Sequence, residues 1–352
     1  MVGSYIQNSQ IINESIKTKY IRLGTTSSLE ERGKKSFKKV LRFTKLLWRC
    51  LSSLITFQPD LVYISLTAKG IGFYKDGFVV LLLKLFKQRF VFHFHNKGIS
   101  KCHNKKFDNW LYKRVFSGSE VILLSEHLYN DVKKYLPRNR VHICPNGIPD
   151  QPLIKNKYEI NRSKSTVQIL FLSNLIRSKG VYVLLEACSL LKERNLSFNC
   201  VLVGGEGDIT EKQLINDIDR LLLNEIVSYA GKKYNNEKQI VFEESHIFAF
   251  PTFYPNECFP LVLLEAMQAQ LPIVTTYEGG IPSIVTDSVN GFLVSNNDPK
   301  ALADKLEYLI NNAEMRVEMG RAGREKYENN FKLSQFEKRM RNILLDVVHK
   351  NE

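Results

Sequence analysis

The sequence lacks a run of about 18 apolar residues, which is the length that a membrane-spanning helix needs. The apolar stretch 77–83 ends at Lys84 and is too short to cross a bilayer. The first residues are polar, so no secretory signal is visible. The six cysteines, at positions 50, 102, 144, 188, 200 and 258, show no paired spacing, which favours a reduced compartment and argues against structural zinc. We therefore expect a cytoplasmic protein without structural zinc.

Acidic residues are scarce in the first half of the chain. Residues 1–150 contain 26 Lys and Arg but 10 Asp and Glu, whereas residues 151–352 contain 24 and 26. The net charge of +14 therefore comes from the first half, where basic and apolar residues alternate in a helix predicted over 34–55. Such a helix suits an anionic membrane surface, although it could equally pack on a sheet as an ordinary solvated helix. No aromatic-basic RNA motif or DNA-reading helix is evident, so we expect no nucleic-acid partner.

Strands and helices alternate throughout the chain, which predicts an α/β protein with parallel sheets covered by helices. The 352 residues exceed one ordinary core, so we expect two domains, 1–150 and 166–330, a linker over 151–165 and a C-terminal helix over 331–352. The predicted strands are 20–23, 61–66, 90–95, 120–124, 141–144, 167–173, 198–203, 226–230, 247–251, 273–276 and 292–294. The predicted helices of the first half are 34–55, 70–86, 105–116 and 126–135.

The most informative segment runs from Glu257 to Glu265, because two acids flank an apolar stretch. Pro260 suits the first turn of a helix, since its φ is helical and its missing N–H would be unpaired there. Glu257 then lies on the loop before the helix, and Glu265 lies on the helix. The N–H groups at the helix start can bind an anion; these belong to Leu261, Val262 and Leu263. This arrangement can hold a sugar, a diphosphate and a ribose.

Three segments agree in order and spacing with one enzyme family. The first segment runs from 250 to 294 and contains the motifs Pro251-Thr252, Glu257, Glu265-Ala266-Met267, Pro272-Ile273-Val274, Gly279-Gly280 and Asn290-Gly291. This run resembles the donor half of family-four glycosyltransferases, which are retaining enzymes of the GT-B fold. The segment 145–148 resembles the hinge of that family, and the segment 171–180 resembles its phosphate-clamp loop. The resemblance spans about residues 60–350 and implies two Rossmann-like, doubly wound domains that face a cleft.

The resemblance also implies roles for single residues of the donor half. Lys179 matches the lysine of the family's clamp directly and would bind the diphosphate. The family's arginine is replaced by Asn174 in this sequence, which leaves two alternatives: Arg177 substitutes for it, or the clamp is weaker. Glu257 would hold the hydroxyls of the donor sugar, and Glu265 would bind the ribose. The backbone that follows Glu257 would hold sugar or phosphate oxygens; it includes Phe259, Pro260, Leu261 and Val262.

One histidine of the first half is a candidate catalytic residue. His95 ends the strand predicted over 90–95, and the resemblance implies that it contacts the donor sugar. His93 is the alternative, because it lies two residues back on the same face of the strand. The glycines of the segment 204–207 predict a tight turn that lines the nucleotide cleft.

The resemblance implies a retaining glycosyltransferase of the hexosyltransferase type. It would move a sugar from a nucleotide-diphosphate sugar to a glycan or lipid-linked acceptor in the synthesis of capsule, lipopolysaccharide or a related cell-surface polysaccharide. We expect it to be cytoplasmic, peripheral at the inner face of the membrane, and free of cofactor and metal. Family members usually open with an apolar strand and a glycine-rich loop, and this sequence does not, so we expect its first domain to lack its first strand. The alternatives are a truncated, non-catalytic nucleotide-sugar-binding protein and a GT-B sugar-nucleotide epimerase.

Overall fold

The protein divides into two compact units in a computed structural model that describes residues 2–23, 37–151 and 166–350. Unit 1 holds the residues up to Leu124, the segment 128–144 and the residues from Glu337 onward. Unit 2 holds the segments 125–127 and 145–336. The predicted linker over 151–165 lies outside the described residues, except for its first residue.

Unit 1 is built on a parallel sheet whose strands lie in chain order. The strands are β1 (Val62–Leu66), β2 (Phe90–Phe94), β3 (Glu120–Leu123) and β4 (Val141–Ile143). The helices are α1 (Val2–Asn8), α2 (Gln10–Ser15), α3 (Phe37–Phe57), α4 (Gly70–Lys84), α5 (Lys106–Phe116) and α6 (Tyr129–Val132). Parallel neighbours require crossover connections, and α4 and α5 supply them between β1 and β2 and between β2 and β3.

Two predictions for this unit are wrong. The strand predicted over 20–23 does not form, because Tyr20 instead donates its hydroxyl to the carbonyl of Ile6 at 3.0 Å and ties the segment to α1. The helix predicted over 126–135 is divided into a 3₁₀ turn, Glu126–Leu128, followed by the single turn of α6. The first residues of the helix predicted over 34–55 lie outside the described residues.

The segment that follows β2 is held by one carboxylate. Asp131 accepts hydrogen bonds from the N–H groups of Gly98, Ile99 and Ser100 at 2.8, 3.1 and 2.9 Å. It also accepts one from the Ser100 hydroxyl at 2.7 Å. Three backbone donors that a non-regular segment would otherwise leave unpaired are thereby satisfied. The loop just after His95 therefore has a fixed conformation.

Unit 2 is a six-stranded parallel sheet with a reversal in strand order. Its strands are β5 (Val167–Leu172), β6 (Phe198–Val203), β7 (Val227–Tyr229), β8 (Ile247–Phe250), β9 (Ile273–Thr276) and β10 (Gly291–Val294), in the spatial order β10-β9-β8-β5-β6-β7. The direction of winding reverses between β5 and β8, which makes this a doubly wound sheet. All residues of β8 and β9 are buried, as expected for strands covered on both faces.

Helices account for most of the remainder of unit 2. They are α7 (Val181–Glu193), α8 (Glu211–Arg220), α9 (Asn235–Glu244), α10 (Leu261–Gln268), α11 (Ile281–Ile284), α12 (Pro299–Asn311) and α13 (Ala313–Asn330). The last helix, α14 (Leu333–His349), covers most of the predicted C-terminal helix, and its residues from Glu337 belong to unit 1. Among the described residues, no helix is both long and apolar enough to span a membrane.

Replacing Asp131 with Ala should destabilise unit 1 by about 2–4 kcal/mol, since several hydrogen bonds to a charged acceptor are lost. Urea unfolding followed by circular dichroism measures the effect. The matched control is Asp60→Ala, which removes an exposed carboxylate of the same unit. Equal, small effects of the two substitutions would show that Asp131 does not hold the loop.

Candidate active site

Two charged side chains meet where the strand order of unit 2 reverses. Lys179 follows β5 and Glu257 follows β8, and these strands are neighbours at the reversal. The Lys179 Nζ lies 2.6 Å from the Glu257 Oε2, and both side chains are mostly buried. Ligands of open parallel sheets bind beyond the carboxyl ends of the strands at such a reversal. The structure therefore brings two of the predicted site residues into direct contact at the expected place.

A glycine allows the two loops to approach each other this closely. Gly180 has a φ of +90°, and a Cβ there would lie 2.1 Å from the Pro251 carbonyl oxygen. The N–H of Phe253 donates to the Ser178 carbonyl at 2.9 Å, which joins the same two loops. Only a residue without a side chain fits between them. The direction of Lys179 therefore follows from backbone packing on both sides of it.

Lys179 also lies against an aromatic ring. Its Nζ is 4.6 Å from the ring centroid of Tyr254, which is within the range of a cation–π interaction. No pattern in the sequence pointed to Tyr254, because the contact joins residues far apart in the chain. Together with Glu257, the ring gives the ammonium group a fixed position.

Helix α10 begins one residue later than predicted. Pro260 has an extended ψ of 115° and precedes the helix, which starts at Leu261, so its placement in the first turn is wrong. The N–H of Leu263 donates to the Pro260 carbonyl at 3.2 Å, because the first turn closes with a tight bond. In the described part of the chain, the N–H groups of Leu261 and Val262 have no protein acceptor. The predicted anion hole therefore has two donors instead of three.

Glu265 lies on α10, as predicted, and is paired with a lysine that the sequence did not suggest. The Lys238 Nζ is 2.5 Å from the Glu265 Oε1, and both side chains are partly exposed. Lys238 belongs to α9, 27 residues earlier, and no motif surrounds it. The pair leaves Oε2 of Glu265 available to another hydrogen-bond donor.

The glycine turn after β9 packs on the loop that carries Glu257. Gly279 has a φ of +60°, and a Cβ there would lie 2.2 Å from the Glu257 carbonyl oxygen. The N–H of Gly280 donates to the Cys258 carbonyl at 2.7 Å. The turn thus supports the backbone on both sides of the predicted sugar-binding acid.

Arg177 does not join the cluster of Lys179 and Glu257. Its guanidinium lies 4.5 Å from the ring centroid of Tyr182, and the Tyr182 hydroxyl donates to Asp217 at 2.7 Å. No carboxylate among the described residues forms an ion pair with Arg177. Its exposed side chain is free to turn toward a ligand, so its assignment to the diphosphate stays a prediction.

The turn that contains Gly204 is tied to the Arg177 loop. A Cβ at Gly204 would lie 1.7 Å from the Ser173 carbonyl oxygen, so only glycine fits. The N–H of Leu175 donates to Gly205 at 2.7 Å, and the N–H of Arg177 donates to Asp208 at 2.7 Å. The ends of β5 and β6 are therefore joined by their loops.

The side chain of Phe259 is part of the core. It is buried, and its ring packs edge-on against Phe331 at 5.8 Å between centroids. Any ligand contact by Phe259 is therefore restricted to its backbone. Within the described ranges, no three His, Cys, Asp or Glu side chains cluster as metal ligands, and the absence of a metal stays a prediction.

His95 and His93 lie in unit 1 with their rings 4.1 Å apart. His93 is fully buried, and its Nδ1 hydrogen bonds with the Tyr63 hydroxyl at 2.7 Å. His95 lies just beyond the end of β2 and is partly exposed. Burial lowers the pKa of His95 to about 4 and that of His93 well below its usual range. Both rings are thus neutral at pH 7, and a role of His95 toward a sugar would be that of a neutral hydrogen-bonding group.

A family model decides what kind of protein this is. The model for glycosyl transferases group 1 matches residues 151–326, which is half of the chain. The chain belongs to this family. The matched residues contain the Lys179–Glu257 cluster, the start of α10 and the glycine turn after β9, so the recognition made from the sequence is confirmed.

The similar proteins include bacterial glycosyltransferases of polysaccharide biosynthesis. The amylovoran biosynthesis glycosyltransferase AmsK of Erwinia amylovora is 28% identical over 71% of this chain and 62% of its own length. The putative colanic acid biosynthesis glycosyltransferase WcaL of Escherichia coli is 28% identical over 62% of this chain and 55% of its own length. The matches thus span little more than half of these relatives.

The solved structures establish the fold of this group 1 chain. The Anabaena protein Alr3699/HepE in complex with UDP superposes with a TM-score of 0.72, at 18% identity, over 86% of this chain and 82% of that one. The same protein has also been solved with UDP-glucose. The GT-B fold class predicted from the sequence is confirmed.

Gly279→Ala should lower the unfolding free energy of unit 2 by about 3 kcal/mol, because it adds a steric overlap with Glu257 to the strain of a positive φ. Gly118→Ala is the matched control. Gly118 has a similar φ of +69°, but a Cβ there would meet nothing within 4 Å, so a cost of about 1 kcal/mol is expected. Thermal unfolding of the two variants measures the difference. Equal falls in Tm would show that the Glu257 loop moves to admit the added methyl group without an energetic cost.

Proposed function

We propose that this protein is a retaining glycosyltransferase that uses a nucleotide-diphosphate sugar in the synthesis of a cell-surface polysaccharide. The observation that carries the proposal is the contact of Lys179 with Glu257 at the reversal of strand order. In this proposal the cation binds a phosphate of the donor and the neighbouring acid binds the hydroxyls of the donor sugar. Membership of the group 1 family and the polysaccharide enzymes among its relatives support the same reaction.

In the proposed reaction, the bond between the anomeric carbon and the diphosphate oxygen breaks while the acceptor oxygen bonds to the same carbon from the same face. The proton of the acceptor hydroxyl passes to an oxygen of the departing diphosphate, so configuration is retained and no separate base is needed. The leaving group gains negative charge in the transition state. Lys179 and the N–H groups of Leu261 and Val262 are fixed donors that can stabilise this charge.

The two acids have separate roles in this proposal. Glu257 binds the hydroxyls of the donor sugar and supports positive charge at the anomeric carbon. Glu265 binds the ribose hydroxyls with Oε2, while Lys238 holds Oε1. Lys238 is therefore a positioning residue, which fixes the rotamer of Glu265 before the nucleotide enters.

The acceptor is proposed to be a glycan or a lipid-linked saccharide that binds unit 1. The basic excess of residues 1–150 supports a location at the anionic inner face of the membrane, with the protein on the cytoplasmic side. UDP is the first nucleotide to test, because the Anabaena structural neighbour was solved with UDP and with UDP-glucose.

Glu265→Gln should weaken nucleotide binding by about tenfold, since a charged hydrogen bond to the ribose is lost. A thermal-shift titration with UDP, GDP and ADP measures this, with Glu186→Gln on the exposed face of α7 as control. The 2′,3′-dideoxy form of the nucleotide that binds should have the same affinity for the variant and the native protein, because it lacks the ribose hydroxyls that Glu265 would bind. An unchanged affinity in Glu265→Gln would remove the ribose assignment, and no shift with any nucleotide would contradict the proposed donor.

Lys179→Met should lower kcat by about 10²–10³-fold, because a fixed cation at the leaving group is lost. The variant also leaves Glu257 mostly buried and unpaired, which should lower Tm. The double variant Lys179→Met/Glu257→Gln removes that unpaired charge and should regain Tm, whereas its kcat also reflects the loss of Glu257. A native kcat in folded Lys179→Met, together with a lowered Tm, would show that Lys179 has a structural role alone.

A further inference from the structure

Helix α4 has an apolar outer face. Ile71, Phe78 and Leu85 follow each other at intervals of seven along the helix and its end, and their exposed fractions are 85%, 54% and 77%. The opposite face is also apolar and buried in the unit, as Phe73 and Val80 show. A helix that is hydrophobic all round is normally buried on every side. The outer face of α4 therefore lacks a partner within the described part of the chain.

The apolar surface continues onto the neighbouring helices as a row of five aromatic rings, four exposed and one, Phe43, half-buried; we term this row the aromatic track. It consists of Phe43 on α3, Tyr74 and Phe78 on α4, and Phe107 and Trp110 on α5. The ring centroids of Phe43 and Phe78 are 6.1 Å apart, those of Tyr74 and Phe107 5.7 Å, and those of Phe107 and Trp110 6.0 Å. Exposed patches of this kind mark binding surfaces in soluble proteins.

Polar contacts hold the aromatic track in place. The Tyr74 hydroxyl donates to the buried carboxylate of Asp108 at 2.6 Å, which joins α4 to α5. The Arg114 guanidinium lies 6.0 Å from the ring centroid of Trp110. The rings of Tyr74 and Trp110 are thus oriented before any partner arrives, which lowers the entropy cost of binding.

The charge around the aromatic track is of one sign. Helices α3, α4 and α5 contain ten Lys and Arg residues and two acids, Asp76 and Asp108. Both acids are buried, whereas Lys45, Arg49 and Lys113 are exposed. The outward charges of these helices are therefore cationic, and a second copy of the same surface would be repelled.

We propose that α3, α4 and α5 form a membrane-docking surface that inserts the aromatic track into an anionic lipid bilayer. Apolar rings that enter the boundary between headgroups and acyl chains, flanked by cations that contact acidic headgroups, are the features of such a surface. The basic helix α3 alone would bind by charge. The aromatic track adds insertion, and it is centred on α4 and α5. The inference extends the proposed function, because it gives the membrane contact of unit 1 its residues.

The chain contains two tryptophans, so insertion into a bilayer can be followed by tryptophan fluorescence. Trp48 on α3 and Trp110 on α5 are both exposed. In the variant Trp48→Phe, fluorescence therefore reports on Trp110 alone. Vesicles of phosphatidylcholine with phosphatidylglycerol should shift its emission to the blue, and the shift should persist in part at high salt. An unshifted emission with vesicle-bound protein would overturn insertion.

A second test removes the track while the fold is kept. The double variant Phe78→Ser/Phe107→Ser should lose about tenfold or more in vesicle partition, because two apolar groups no longer leave water. Ile71→Ser should weaken partition as well. The matched control is Ile215→Ser, which replaces an exposed isoleucine on α8 of unit 2 and should leave partition unchanged.

Nucleotide binding keeps this inference separable from the proposed function. The UDP thermal shift should be the same in Phe78→Ser/Phe107→Ser and in the native chain, so weaker partition with an intact shift supports the docking surface. The inference would be overturned if Phe78→Ser/Phe107→Ser lowered vesicle partition no more than Ile215→Ser does. A blue shift that grows with protein concentration in the absence of vesicles would also overturn it, in favour of self-association.

Discussion

The close approach of three backbone segments in unit 2 is the constraint on which the candidate site depends. The loop after β5 touches the loop after β8 at Gly180, and the turn after β9 touches the Glu257 loop at Gly279. At each point a Cβ would lie within about 2 Å of a carbonyl oxygen. Separating the loops to admit a side chain would break the 2.6 Å contact of Lys179 with Glu257. The geometry of the charged groups is therefore set by backbone packing, with little contribution from their own side-chain preferences.

The two ion pairs of unit 2 differ in what they do for the site. Lys179 and Glu257 are mostly buried, so their attraction is offset by the loss of hydration, and the pair contributes more to position than to stability. A bound diphosphate would compete with Glu257 for Lys179 and would free the acid for sugar hydroxyls. The pair of Lys238 and Glu265 is more exposed and can persist with ligand bound, because one carboxylate oxygen remains available.

The sequence predicted the sheet of unit 2 well, because its strands are short apolar runs bounded by turn residues. β6 and β9 match their predicted ranges, and the other four strands differ from theirs by one residue at one or both ends. Prediction failed where one long-range contact decides the local structure. Tyr20 was predicted to belong to a strand, but its hydrogen bond to the Ile6 carbonyl holds it outside any sheet. Lys238 and Tyr254 could not be found from the sequence, because their contacts join helices and loops that only the folded chain brings together.

The position of Pro260 shows how a small error at a helix start changes the site. A proline in the first turn would have left three N–H groups free, whereas the observed start leaves two. Two backbone donors cannot by themselves neutralise a diphosphate, which carries more than one negative charge. In the proposed donor complex, side chains would meet the remaining charge of the diphosphate, and among those of the 171–180 loop Lys179 is already fixed. Arg177 stacks on Tyr182 at the surface, so its recruitment would require a change of rotamer on binding, at a cost that the diphosphate interaction must exceed.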